Sequence, residues 1–109
     1  MSILDSIIEG VREDLAARRG PLAQLHEELD RIAPTLDAHD FLSRNEMNVI
    51  AEVKRSSPSK GALADISDPA SLAEQYQEAG AAAVSVLTER RRFGGSLEDL
   101  DAVRSRISI

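Results

Sequence analysis

The sequence predicts an α/β fold: the opening part of a parallel (β/α)8 barrel, preceded by a helical extension. Three observations lead there. Two apolar, strand-like stretches, residues 49–54 and 81–88, alternate with helix-like stretches, which is the βαβα order of a parallel sheet with right-handed crossovers. The second stretch is apolar on both faces apart from Ser85, as strands covered on both sides are. A third strand-like start, Ile-Ser-Ile at 107–109, closes a sequence of 109 residues, whereas such a barrel runs to about 250. The expectation is therefore a barrel truncated after about two βα units, with residues 1–47 as the helical extension and 48–109 as the first units. A small α/β domain complete in itself is the alternative.

The helical extension is read from periodicity and punctuation. Ile3, Leu4, Ile7, Ile8, Val11 and Leu15 recur at helical spacing over residues 2–19. Ser2 with Asp5 fits a capping box, and Gly20-Pro21 ends the helix. A second helix is expected over 22–32, with Leu22, Leu25, Leu29 and Ile32 as its stripe and Pro34 beyond its end. A short third helix over 37–44 carries Phe41 and Leu42, and the polar residues 45–48 read as a turn.

The first strand, 49–54, places Val49, Ala51 and Val53 on one face and Ile50, Glu52 and Lys54 on the other. Both faces are expected to be buried, with the two charges pointing inward. Residues 55–67 follow as a loop. Asp68-Pro69 is a helix start, since Asp caps and Pro has its φ preset for the first turn. Leu72, Ala73, Tyr76 and Ala79 form the buried face of that helix, and Gly80 closes it. After the second strand comes a loop over 89–95. Ser96 and Asp99 then form a second capping-box pattern, with Leu97, Leu100 and Val103 as the next inner stripe.

Composition excludes some functions. There is no cysteine, so disulfides, thiol chemistry and cysteine metal sites are out, which suits a reducing cytoplasm. The net charge of −6 argues against nucleic acid as the main partner. No apolar run approaches the roughly 20 residues of a membrane helix, and no basic segment precedes an apolar core as in a secretory signal. The two histidines, His26 and His39, fall in the extension without metal-ligand spacing.

In a parallel barrel, reactive groups sit at the C-terminal ends of strands and on the loops that follow. Lys54 stands at such an end, with Glu52 about 6.6 Å below it on the same face. A lysine there holds an anionic group or donates a proton, and the glutamate holds the ammonium in place. An internal ion pair without a chemical role is the competing reading. The loop Arg55-Ser56-Ser57-Pro58-Ser59-Lys60-Gly61 offers hydroxyls, N–H groups and cations to a phosphate or carboxylate, or is an ordinary turn. Neither a Walker motif nor a dinucleotide-binding glycine pattern is present. Phe93, beside Gly94 and Gly95, either stacks on a planar substrate or covers the barrel rim.

These residues carry a resemblance. Ile50-Ala-Glu-Val-Lys-Arg-Ser-Ser-Pro-Ser-Lys-Gly61 resembles the signature of the indole-3-glycerol-phosphate synthase family. Ser85-Val-Leu-Thr-Glu89 and Phe93-Gly-Gly-Ser96 resemble its second strand and loop. The resemblance implies a TIM barrel of tryptophan biosynthesis, a cytoplasmic carboxy-lyase that needs no metal or organic cofactor. Its substrate is 1-(2-carboxyphenylamino)-1-deoxyribulose 5-phosphate, a phosphorylated, anthranilate-derived small molecule. It is closed to the indole with loss of carbon dioxide and water. By the same resemblance, Lys54 contacts substrate and assists acid catalysis, Glu52 supports it, and Ser57 and Phe93 contact substrate. The family's main acid lysine, base glutamate and phosphate loops follow later strands and have no counterpart here, so the chain alone is expected to be inactive. Two other readings remain open: a non-catalytic half-barrel that self-associates through open sheet edges, and another phosphate-binding barrel such as phosphoribosylanthranilate isomerase.

Overall fold

The computed structural model describes all residues from Met1 to Ile109. The chain divides into two compact units, Met1–Leu36 and Asp37–Ile109.

The first unit holds α1 (Ile3–Arg18) and α2 (Leu22–Leu29). The expected capping box forms: Asp5 N–H donates to Ser2 Oγ at 3.1 Å, and Ser2 N–H donates to Asp5 Oδ2 at 2.8 Å. Helix α2 ends three residues before the expected Ile32. Arg31 N–H turns back to the Glu28 carbonyl and Ile32 N–H to that of Leu29, the tighter i→i−3 pattern of a fraying helix end. The apolar stripes of both helices remain open to solvent, Leu4 at 63% and Leu25 at 50%.

The second unit begins with α3 (Ala38–Leu42), capped by Asp37. The side-chain amide of Asn48 reaches the carbonyls of Leu42, Arg44 and Glu46 at 3.0–3.2 Å, and so pins the turn that feeds the first strand. Strand β1 (Ile50–Val53) is followed by a small antiparallel pair, β2 (Ser56–Ser57) and β3 (Gly61–Ala62), within the stretch read from sequence as plain loop. Two-residue strands are too short to show a period of two, so this hairpin left no pattern to read.

Helix α4 (Pro69–Glu78) starts as expected, with Ser71 N–H donating to Asp68 Oδ1 at 3.0 Å. It ends in a Schellman arrangement. Gly80 N–H donates to the Gln77 carbonyl and Ala81 N–H to that of Tyr76, with Gly80 at φ 96°. Strand β4 (Ala83–Val86) then lies parallel to β1, with Ile50 opposite Ala83 and Glu52 opposite Ser85. Ala82 N–H to the Val49 carbonyl and Leu87 N–H to that of Val53 extend the ladder at both ends. Helix α5 (Leu97–Arg106) starts at Ser96.

The core sits where α4 and α5 meet the strands: Ala73, Val103 and Ile107, with Val84, Val86 and Ile109 against them. Arg106 pairs with Glu74 across the two helices at 2.8 Å. Four expectations need correction here. Of the face expected to be buried on α4, only Ala73 is fully buried, Leu72 and Tyr76 are half-buried, and Ala79 is exposed. The first strand is buried on one side only, with Val53 at 2% exposure but Ile50 at 58%, because no layer of the chain packs over the Ile50 face. Of the stripe on α5, only Val103 is buried, while Leu97 and Leu100 face solvent. Residues 107–109 are extended but form no strand. Their backbone is taken up by side chains instead, Ser108 N–H by Gln77 and the carbonyls of Ile107 and Ile109 by Arg104.

Among Gly20, Gly61, Gly80, Gly94 and Gly95, Gly95 lies closest against neighbouring backbone. A Cβ there would lie 1.8 Å from the Leu87 carbonyl oxygen. Gly95→Ala is therefore expected to destabilise the chain by about 1–3 kcal/mol, the usual cost of forcing extra volume into a packed position. Gly20→Ala, whose Cβ would meet nothing nearer than Gln24 at 3.8 Å, is the control and should be nearly neutral. Urea titration of the two variants checks this, and equal midpoints would contradict it.

Candidate strand-end site

Alternation along β1 sends Val53 into the core and leaves Glu52 on the open face. Lys54, just past the strand, folds back so that Nζ meets Glu52 Oε1 at 2.6 Å. The cross-strand neighbour Ser85 donates to Glu52 Oε2 at 3.3 Å. Lys54 holds the Glu52 carboxyl below the usual carboxylate range, with a smaller contribution from Ser85 and against a desolvation effect that works the other way. The pair stays reachable, with side-chain exposures of 33% for Lys54 and 41% for Glu52. The two line an open recess with Asp65, Asp68, Ser71 and Tyr76, and the Tyr76 hydroxyl donates to the Glu52 carbonyl at 3.4 Å. Chemically, this is an ammonium with a fixed counter-ion at a strand's C-terminal end. It can bind an anion or hand a proton to an oxygen of a bound molecule.

The two strand-end loops are stitched together. Ser56 N–H donates to the Phe93 carbonyl at 3.3 Å, and Ser56 Oγ to the Arg92 carbonyl at 3.0 Å. Arg55 spreads its guanidinium over three targets: the Ile66 carbonyl at 2.9 Å, the Gly94 carbonyl at 3.3 Å, and both oxygens of the Asp99 carboxylate. Asp99 N–H meanwhile donates to Ser96 Oγ at 3.1 Å, so Asp99 belongs to the helix cap and to the loop clamp at once. Arg55 holds the Asp99 carboxyl below its ordinary range, helped by Ser96, and Asp99 raises the guanidinium in return.

Of the residues singled out in the sequence, Glu52 and Lys54 are brought together. Ser57 and Phe93 lie on the two neighbouring loops and do not line the recess. The Ser57 hydroxyl accepts from Lys60 N–H at 3.2 Å inside the β2–β3 turn. Phe93 is half-buried, its N–H donating to Glu89 Oε2 at 3.2 Å. Sequence reasoning missed Arg55, Asp99 and Glu89 as structural partners. The only local signal was the capping pattern at Ser96–Asp99, and it accounted for Asp99 without pointing to Arg55. No group of three or more acidic or histidine side chains converges as a metal site, and no helix is long and apolar enough to cross a membrane.

Parallel βα units with an accessible ion pair at a strand end define a class: proteins that carry their binding and reactive groups on the loops after parallel strands. Comparison with known proteins narrows this. The family model for indole-3-glycerol phosphate synthase matches residues 4–109, and the chain belongs to that family. An indole-3-glycerol phosphate synthase of Mycobacterium sp. (strain KMS) is 57% identical over 110 residues, covering 99% of this chain and 40% of the relative. One from Beutenbergia cavernae is 58% identical over 112 residues, covering 100% and 42%. Indole-3-glycerol phosphate synthase 1 of Streptomyces coelicolor is 58% identical over 111 residues, covering 100% and 41%. The chain thus spans about two fifths of the length of the curated relatives it matches.

The clamp has a pH signature. The folded-state pKa of Asp99 lies below its ordinary value of 3.8. Its contribution to stability is therefore fully present above that value and is lost as pH falls through the folded pKa. Asp99→Asn should cost about 1–3 kcal/mol at pH 7, the range for breaking a partly buried charged hydrogen bond. The gap between wild type and variant should hold down to about pH 4 and close in more acid solution. Denaturation midpoints of both proteins measured from pH 7 to pH 2.5 test this, and a gap that does not change with pH would contradict it.

Proposed function

We propose that this chain supplies the first strand-end groups of an indole-3-glycerol phosphate synthase. The observation that carries the reading is the Lys54–Glu52 pair, 2.6 Å apart at the C-terminal end of β1 and open to a bound molecule. The relatives that bear the synthase name match it over its whole length. The reaction closes 1-(2-carboxyphenylamino)-1-deoxyribulose 5-phosphate to the indole. A bond forms from the ring carbon that bears the carboxylate to the ketone carbon, then carbon dioxide and water are lost.

Ring closure needs a proton at the ketone oxygen, and proton loss restores aromaticity at the end. Lys54 donates to, or hydrogen-bonds, that oxygen side of the substrate. Glu52 holds the ammonium in place. Phe93 flanks the planar ring and Ser57 contacts the substrate from the first loop. No metal or organic cofactor takes part in this scheme. The chain works as the leading part of a (β/α)8 barrel in the cytoplasm, with residues 1–47 as a helical extension and 48–109 as the first βα units. The remaining acid, base and phosphate-holding groups come from later strands.

The outer edge of β1, which pairs with β4 alone, favours a second, compatible reading: the chain associates through that edge with a complementary half or a second copy.

A chimaera tests the first reading. This chain replaces the matching two fifths of the Mycobacterium relative, and turnover of the carboxyphenylamino substrate is followed. The chimaera is expected to turn over, and Lys54→Ala to lower kcat/KM by about 10²–10⁴-fold, the usual worth of a positioned proton donor. The chain by itself should show no turnover. A Lys54→Ala chimaera as active as its parent, or turnover by the chain alone, would sink the proposal.

A further inference from the structure

Glu89 closes the loop between β4 and α5 from inside. Its Oε2 accepts from Arg92 N–H at 2.7 Å and from Phe93 N–H at 3.2 Å. Its own carbonyl accepts from Gly95 N–H at 3.0 Å. Its second carboxylate oxygen, Oε1, is buried without a hydrogen-bond partner.

Two successive N–H groups converging on a carboxylate make a small anion nest, and such charge-assisted bonds are about twice as strong as neutral ones. The carbonyls of the same two residues face the other way, to Ser56 Oγ at 3.0 Å and Ser56 N–H at 3.3 Å. The backbone at Phe93 is thus held between a carboxylate on one side and the first strand-end loop on the other. A backbone fixed at N–H and C=O also fixes the direction of its Cα–Cβ bond, and with it the reach of the ring.

We propose that Glu89 is a positioning residue for Phe93: through two backbone hydrogen bonds it sets where the aromatic ring is presented to a planar substrate. The inference rests on the reading of Phe93 as the residue flanking that substrate. Glu89 itself touches no reacting atom. Its effect on catalysis passes through Phe93, so it appears in substrate binding rather than in the chemical step. A carboxylate that served only to stabilise the loop would lower the unfolding midpoint and leave the balance of KM and kcat unchanged.

Amide hydrogen exchange on the full chain reads the backbone directly. Glu89→Ala is expected to speed exchange at Arg92 and Phe93 by about tenfold or more, the scale of a lost charged hydrogen bond. Val84 and Val86 in β4 should be unaffected. Glu89→Gln keeps an oxygen that can accept from both N–H groups, and should restore exchange to within about threefold of wild type. In the synthase chimaera, Glu89→Ala should raise KM about tenfold with kcat changed less than about threefold, and Glu89→Gln should bring KM back.

Unchanged exchange at Arg92 and Phe93 in Glu89→Ala, or an unchanged KM, overturns the proposal. Should Glu89→Ala unfold the chain, as loss of protection at Val84 and Val86 would report, Glu89→Gln decides. Retained protection at Arg92 and Phe93 with unchanged KM then supports the assignment, and loss of either overturns it. A chimaera that is inactive without any substitution defeats the synthase reading, while the exchange measurement still decides whether Glu89 positions the backbone at Phe93.

Discussion

The parallel register between β1 and β4 is the constraint on which the rest of the second unit depends. Pairing Ile50 with Ala83 and Val53 with Val86 brings both strands to an end at the same side. It sets Glu52 against Ser85 and lets the loop after each strand touch the other. Because side chains alternate with a period of two, a slip of one residue would turn Glu52 toward the helices and Val53 toward solvent. Small side chains make the register tolerable on the helix side. Ala70, Ala73 and Ala82 are only 7%, 0% and 5% exposed, so α4 can approach the strands closely without large side chains to separate them.

Two adjacent cations at the end of β1 divide the work. Lys54 pairs with Glu52 within a reachable recess. Arg55 pairs with Asp99, a residue 44 positions away at the start of α5, in a setting half as exposed. The difference follows from donor chemistry as well as from place. The planar guanidinium serves two backbone carbonyls and a bidentate carboxylate at once, which suits a fixed clamp. The ammonium is a compact charge with three rotatable donors and can exchange its partner for a ligand. The clamp ties the loop after β1 to the start of α5, while the Lys54–Glu52 pair stays partly exposed.

The second loop is closed by a few contacts among neighbouring residues. Glu89 gathers the N–H groups of Arg92 and Phe93, and Gly95 lies against the Leu87 carbonyl where no larger residue fits. Each contact is local in sequence, yet each makes sense only once Ser56 of the first loop is in place to take the opposite side.

The sequence by itself determined the order of the helices and of the two parallel strands, and nearly all the helix starts, but not the β2–β3 hairpin. Ser2, Asp37, Asp68 and Ser96 act on N–H groups three residues away, and Gly80 acts on the turn it sits in, so their effects are readable without the fold. The Glu52/Lys54 alternation and the specific stretch through Gly61 pointed to one strand end and to the synthase family for the same reason. Tertiary structure alone decided burial and partnership: that Ile50 stays exposed, that Leu97 and Leu100 do not join Val103 in the core, that residues 107–109 are held by Gln77 and Arg104 rather than by a strand. It also decided that Arg55 meets Asp99 and that Ser57 and Phe93 sit outside the Glu52–Lys54 recess. These outcomes depend on which surfaces meet across dozens of residues. Local propensities carry no information about a partner that distance along the chain has hidden.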